Sequence, residues 1–209
     1  MQFSFLPASD TYQTLAKPCQ SEYKEKNSRF IAYGLELSHE QKLKSALEMV
    51  KKLFPKASHY CYAYRLGLDG NQYRANDDGE PSGTAGRPIL NQIDAAQLTN
   101  ILVVVVRYYG GINLGVSGLK EAYKISTRQA LQTATIQTKI LTQSFLIQTD
   151  YLQMPAVMNW LKTNQLTIID NNFTDVVQIS VEVRLAFINS FLSYLETVPN
   201  LEVSSLLKV

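Results

Sequence analysis

Residues 101–106 read Ile-Leu-Val-Val-Val-Val, and this run restricts the possible folds more than any other stretch. It is short for a buried helix, rich in β-branched residues, and lacks the apolar–polar alternation of a strand with one wet face. It therefore predicts a strand covered on both sides. Glycine-rich loops flank it. Upstream, residues 77–88 read Asp-Asp-Gly-Glu-Pro-Ser-Gly-Thr-Ala-Gly-Arg-Pro, with three carboxylates, Asp77, Asp78 and Glu80. Downstream, residues 107–118 read Arg-Tyr-Tyr-Gly-Gly-Ile-Asn-Leu-Gly-Val-Ser-Gly, with one cation, two phenol rings and four glycines. Glycine admits positive φ and close backbone approach, so such loops form turns or lie against a ligand.

Periodicity supplies the rest of a first unit. Cys19 to Leu35 reads as a hairpin turning at Lys26-Asn27, its charged first strand suited to a sheet edge. Ser38 and Gln41 have the spacing of a capping box, and Leu43, Ala46, Leu47, Val50 and Phe54 recur at helical spacing. Lys51 and Lys52 complement the dipole in the last turn, and Pro55 ends the helix. Lys42, Lys44, Lys51, Lys52 and Lys56 give it a basic surface. His59 to Leu68 reads as a strand, and Asp69-Gly70 turns it into a second strand over Gln72 to Ala75. Arg87-Pro88 opens a short helix. A longer one runs from about Val116 to Leu131, with Leu119, Ala122, Tyr123, Ser126 and Ala130 inward. The expected architecture is an α+β layer with its helices on one face of the sheet.

The polar stretch Thr133–Thr138 reads as a linker dividing residues 1–132 from 133–209. Beyond it come a strand over Ile140 to Gln148, a helix with Pro155 in its first turn, a strand over Leu166 to Ile169 and a turn at Asn171-Asn172. Val177, Ile179, Val181 and Val183 alternate with polar residues; a helix around Phe191 and a strand over Leu201 to Leu206 follow. This is the split β-α-β-β-α-β, or ferredoxin-like, order. Its alternation predicts one uncovered sheet face with few charges, a surface for a protein partner.

The loops also carry a resemblance. Asp77 through Gly86 followed by Arg107-Tyr108-Tyr109-Gly110-Gly111 is similar to the signature of the IMPACT/YigZ family. The likeness extends to Ser28-Arg29-Phe30-Ile31-Ala32 and His59-Tyr60-Cys61-Tyr62-Ala63, and covers residues 20–132 strongly and the remainder weakly. It implies an N-terminal domain resembling domain IV of elongation factor G, a ribosomal-protein-type β-α-β fold, and a C-terminal domain resembling domain V. It also implies the translation-control role known for the family's eukaryotic members, although family does not by itself supply chemistry. The chain departs from the family pattern at Asn113, where lysine is usual, at Ser117, where glycine is usual, and at Glu121, where a basic residue is usual. Each departure weakens anion binding at the second loop, and Lys120 and Lys124 are the neighbouring cations that remain.

Several chemistries compete for these loops. Gly110-x-x-x-x-Gly115 is followed by Val116-Ser117, so the lysine of a phosphate-binding loop is missing, and no G-x-G-x-x-G occurs; nucleotide hydrolysis is not supported. Backbone N–H groups at the helix start could still cradle a phosphate, or the glycines could merely fit a tight turn. Asp77, Asp78 and Glu80 could hold a hard cation beside His59 as a base, which would make a metal-dependent hydrolase. Alternatively one of these acids pairs with Arg87 or Arg107 and fixes the two loops together. Tyr108 and Tyr109 point to opposite sides of a continuing strand, one packing inside and one free to stack on a base. The nucleic-acid or ligand-binding candidates are thus Arg87, Arg107, Tyr108, Tyr109, Gly110, Gly111, Asn113, Gly115, Ser117, Lys120 and Lys124. The acidic candidates are His59, Asp77, Asp78 and Glu80.

Composition narrows the function classes. Two cysteines, Cys19 and Cys61, without metal-ligand spacing fit a reducing compartment and argue against structural zinc. The start, Met1 to Pro7, lacks the basic and apolar regions of a signal peptide, and no stretch approaches the ~18 apolar residues of a membrane span. A cytoplasmic protein is expected. Residues 1–132 hold sixteen Lys/Arg and twelve Asp/Glu, a balance of +4, whereas residues 133–209 hold four and six, a balance of −2. A polyanion would meet the first part. The leading expectation is a non-enzymatic binding protein acting in translation through RNA or the ribosome, without cofactor, metal or DNA-sequence specificity. A hydrolase using residues 77–80 and a protein-interaction module are the alternatives.

Overall fold

The computed structural model describes residues 10–68, 70–173 and 176–206. Asp69 of the expected turn and the Met1 to Pro7 stretch lie outside these residues. The chain divides into two compact units, Tyr12–Lys139, and Ile140 onward together with residues up to Thr11.

In the first unit, β1 (Thr11–Leu15), β2 (Cys19–Glu25), β3 (Ser28–Glu36), α1 (Leu43–Leu53), β4 (His59–Leu66), β5 (Gln72–Asn76), α2 (Gly86–Ala95), β6 (Ile101–Tyr108), α3 (Gly115–Gln132) and β7 (Ile136–Ile140) follow in order. Five strands form one antiparallel sheet in the order β2-β3-β6-β4-β5, so the apolar run lies on the central strand. All six residues from Ile101 to Val106 are fully buried. Ile101, Val103 and Val105 pack with Ile89, Leu90 and Ile93 of α2 and Leu119, Ala122 and Tyr123 of α3. Leu102, Val104 and Val106 pack on the other face with Leu43, Ala46 and Val50 of α1. The helices therefore cover both faces, not one. The run itself explains the correction, since side chains alternate across a strand and six consecutive apolar residues need two covers. Each buried aliphatic side chain contributes ~1.5–3 kcal/mol of gross burial free energy, so an uncovered face would be costly.

Local details follow the residues. Lys26 and Asn27 have φ of 42° and 63°, the two left-handed positions of a two-residue hairpin turn matched to strand twist. The capping box does not form. A 3-10 turn over Glu40–Lys42 precedes α1, with no side-chain cap at His39, and Glu40 instead accepts a hydrogen bond from the Tyr64 hydroxyl at 2.7 Å. Thr133–Thr138 is not a free linker, because β7 begins at Ile136 and pairs with β1 in a two-stranded sheet. Gln137 Nε2 adds a bond to the Leu15 carbonyl at 3.0 Å. The units accordingly meet at 139/140 instead of 132/133.

In the second unit, β8 (Thr142–Thr149), α4 (Met154–Thr163), β9 (Thr167–Phe173), β10 (Val177–Arg184), α5 (Ile188–Leu195) and β11 (Glu202–Leu206) build an antiparallel sheet in the order β11-β8-β10-β9. Phe145, Ile147, Val177, Ile179, Val181 and Val183 face Val157, Leu161, Ile188 and Phe191 of the helices. Asn171 and Asn172 are not a turn but β9 residues opposite Ile179 and Gln178. Asp10 receives a bidentate pair from Arg184, both bonds 2.9 Å. No helix among the described residues is long and apolar enough to cross a membrane.

Candidate functional site

The acidic loop folds around its own carboxylates. Asp77 accepts backbone N–H bonds from Gly83 at 2.8 Å and from Ala85 and Gly86 at 2.9 Å each. It thereby meets the N–H groups of Ala85 and Gly86 where α2 begins, a helix whose own cap residue makes no side-chain cap bond. Burial works to raise the Asp77 pKa, but these three bonds prevail and hold it below the ordinary value. Asp78 accepts the Tyr60 N–H at 2.6 Å, and its carbonyl accepts the His59 Nδ1–H at 2.8 Å. Glu80 is buried and pairs with Arg107 at 2.6 Å, both side chains about 5% exposed or less. Tyr123 of α3 donates its hydroxyl to the same Glu80 oxygen at 2.8 Å.

Arg107 lies at the centre of this arrangement. Its guanidinium sits between the rings of Phe30 and Tyr109, 5.3 and 5.2 Å from their centroids, and approaches Ser28 Oγ at 3.4 Å. The Cys61 thiol completes the network, donating to the Asp77 carbonyl at 2.9 Å and lying 3.2 Å from the Tyr123 hydroxyl. Burial pushes both the Cys61 and the Tyr123 pKa upward, so the thiol and the phenol remain neutral. The pairing of an acid with Arg107 thus forms, whereas Arg87 lies exposed on the first turn of α2 and makes no ion pair among the described residues. Two sets of candidates change role. Arg107 is not available as a surface contact, because its charge is buried against Glu80. Asp77, Asp78 and Glu80 do not form a metal cluster, because each carboxylate is already committed to a different donor, and no metal-ligating group of three occurs among the described residues.

What remains at the surface is the end of the sheet beyond this network. Tyr109 is 47% exposed, its N–H donates to Ser58 Oγ at 3.2 Å and its hydroxyl to Asn113 Oδ1 at 3.2 Å. Tyr108 packs against the α1 side, with its hydroxyl on the Pro55 carbonyl at 3.1 Å and Arg29 over its ring at 5.5 Å. The two tyrosines divide as strand alternation requires. Gly110 lies so close to the Asn27 backbone that an added Cβ would overlap the Asn27 carbonyl. Its N–H bonds Ser28 Oγ at 3.1 Å. These contacts gather the Lys26-Asn27 turn, the Pro55–Ser58 segment and Tyr108–Gly111 at one end of the sheet. Lys26 and Lys56 are exposed there, and neither has a carboxylate partner among the described residues. The other second-loop candidates are more dispersed. Gly111 and Gly115 take positive φ of 82° and 72°, Ser117 and Lys120 are exposed, and Lys124 is engaged by Glu121 at 3.2 Å. Lys26, Lys56, Ser28 and Ser58 were not among the site candidates that the sequence offered. The Lys26-Asn27 turn carried a signal, since a two-residue turn places its first side chain at a sheet end.

The comparisons fit this geometry. The family described as the Impact N-terminal domain matches residues 26–131, half of the chain, and spans both loops and the strand between them. The chain belongs to the IMPACT family. A second family, the domain of unknown function DUF1949, matches residues 147–195. The IMPACT family member YvyE of Bacillus subtilis is 31% identical over 190 residues, which cover 91% of this chain and 88% of that one. The IMPACT family member YigZ of Escherichia coli is 36% identical over 168 residues, 79% of this chain and 82% of its own. A crystal structure described as that of a hypothetical protein superposes with a TM-score of 0.69 at 31% identity, covering 96% of this chain and 99% of that one. Two IMPACT-family features, the acidic loop and the Arg-Tyr-Tyr-Gly-Gly turn, are therefore one structural unit in this chain, joined through Glu80 and Arg107.

Proposed function

We propose that this IMPACT-family chain is a binding protein and not a catalyst, and that it holds single-stranded RNA of the translation apparatus at the end of its first-unit sheet. One observation carries this: an exposed Tyr109 ring backed by the buried Arg107 guanidinium, at the sheet end that also holds Lys26 and Lys56, neither neutralised by a carboxylate among the described residues. An exposed aromatic beside free cations is the arrangement that stacks a base while the lysines meet phosphates. The +4 balance of residues 1–132 supports the choice of a polyanion. The committed state of Asp77, Asp78 and Glu80 favours binding over metal-assisted hydrolysis. Readout through stacking and charge gives no DNA-sequence specificity and needs no cofactor. Translation control, implied by the resemblance to the family's eukaryotic members, supplies the setting.

Fluorescence anisotropy with labelled single-stranded RNA tests the reading. Tyr109→Ala removes the stacking ring and is expected to weaken binding by ~1–3 kcal/mol with an unchanged salt slope. Lys26→Gln with Lys56→Gln is expected to make the slope of log affinity against log salt shallower by about 1.4, since ~0.7 accompanies each single-strand phosphate neutralised. RNA affinity untouched by either change would overturn it.

A further inference from the structure

We infer that α1 is a phosphate track continuing from the sheet end, so that the ligand is a single strand of nucleic acid long enough to run from Tyr109 along this helix. The inference rests on the proposed RNA reading and adds the path of the strand.

The charge pattern of α1 is lopsided. Lys42, Lys44, Lys51, Lys52 and Lys56 fall between residues 42 and 56 and all are exposed, while Glu48 is the one acid in that span. Glu48 stands four residues after Lys44, three before Lys51 and four before Lys52, the spacing at which helix ion pairs form, yet it lies within ion-pair distance of none of them. Elsewhere the chain does neutralise surface cations. Lys24 and Arg29 meet Glu22, Arg65 meets Asp94, Lys124 meets Glu121, and Lys139 meets Glu36. Among the described residues none of the five lysines of this span has a carboxylate within ion-pair distance. Other cations without a carboxylate partner among the described residues, Lys17, Lys26, Arg74, Arg87, Lys120 and Arg128 among them, are scattered, and the span 42–56 holds the densest run.

That element leads to the stacking ring. Lys51 lies over the Tyr60 ring at 5.4 Å, and the Tyr60 hydroxyl is fixed to the Phe54 carbonyl at 2.6 Å, so this lysine is held at the helix end nearer the sheet terminus. Lys56 follows in a left-handed turn with φ of 62°, two residues before Ser58, which binds the Tyr109 N–H. Eleven helical residues span ~16 Å, enough for several consecutive phosphates. Met49 and Leu53 on the same helix are 37% and 52% exposed and offer apolar contact for sugars and bases. An anionic lipid surface would also meet lysines and apolar side chains. The continuity with an exposed tyrosine favours the nucleic-acid strand.

The test compares fluorescein-labelled oligouridylates of 4 and 12 nucleotides binding to the full chain and to the triple variant Lys44→Gln, Lys51→Gln, Lys52→Gln. Far-UV circular dichroism and a thermal melt confirm that the variant folds, and Lys17→Gln, Arg74→Gln, Arg128→Gln is the charge-matched control. The expected result is a roughly tenfold or greater loss of 12-mer affinity at low salt and a slope shallower by about two, with 4-mer binding and the control unchanged. Wild-type affinity and slope in the triple variant overturn the track while leaving the sheet-end site standing. An equal loss for both oligomers or in the control also overturns it, because general attraction then suffices. If the unaltered chain binds neither oligomer, the RNA reading falls with it. Pelleting with phosphatidylserine-containing vesicles that the triple variant loses, without any RNA effect, reassigns the helix to a membrane surface.

Discussion

Arg107 sits on the central strand of a sheet, where a charge is tolerated only if everything around it is arranged to meet it. Glu80 supplies the opposite charge, Tyr123 bonds the same carboxylate, and Phe30 and Tyr109 cover the guanidinium faces. Removing one partner of such a buried pair leaves the other uncompensated, so Arg107→Ala is expected to cost about 3–5 kcal/mol in urea denaturation. A cost under ~0.5 kcal/mol would mean that Glu80 finds water or another donor. Asp77 gives a pH-dependent counterpart. Its pKa is lowered in the folded chain below the ordinary 3.8, so its contribution is present above that value and lost as pH falls through the folded pKa. Asp77→Asn is therefore expected to destabilise the fold at pH 7 by ~1–2 kcal/mol, the scale of a lost helix cap. The gap from the parent chain should narrow as pH falls below 3.8 and through the lowered folded pKa, followed by urea midpoints from pH 2 to 7. An acid–arginine lock between the loops was legible from the residues. The choice of Glu80 and the separate duties of Asp77 and Asp78 were not, because three neighbouring carboxylates look alike until the backbone turns them in different directions.

At the level of elements, the strongest signals were runs and periods. The Ile101–Val106 run and the stripes of α1 and α3 identified their elements because burial chooses one face, or both, irrespective of tertiary detail. Asn171-Asn172 misled because asparagine favours turns, yet pairing with β10 decides its conformation. Ser38 misled because the chain enters α1 through a 3-10 turn over Glu40–Lys42, which puts His39, not Ser38, at the cap position. Gly86 shows an element depending on close approach. It is the first residue of α2, where alanine has the better helix propensity by ~1 kcal/mol. A Cβ there would stand 2.5 Å from the Asn76 backbone nitrogen, at the end of β5. Sterics win over propensity, since backbone on both sides has no room to give. Gly86→Ala is expected to lower stability by more than ~2 kcal/mol in chemical denaturation, whereas a stabilised variant would show that α2 can shift away from β5.

At the scale of the whole chain, the order of elements in the second unit and from β2 to α3 in the first could be anticipated, while β1, β7 and the point where the units divide could not. A polar segment of low hydrophobicity looks like a linker, but β7 recruits β1 from the other end of the first unit, a pairing too distant in sequence to announce itself. The proposed binding surface was hidden for the same reason. Lys26, Pro55–Ser58 and Tyr109 lie far apart in the chain and meet only because β3, β4 and β6 end together. The central claim, that this meeting point receives RNA, is tested most directly by following backbone amide resonances of the labelled chain during titration with a single-stranded 12-mer RNA. The account predicts perturbations centred on Lys26-Asn27, Lys56–Ser58 and Tyr108–Gly111, fading as salt is raised. Perturbations confined to the second-unit sheet or to residues 77–80, or none at all, would contradict it.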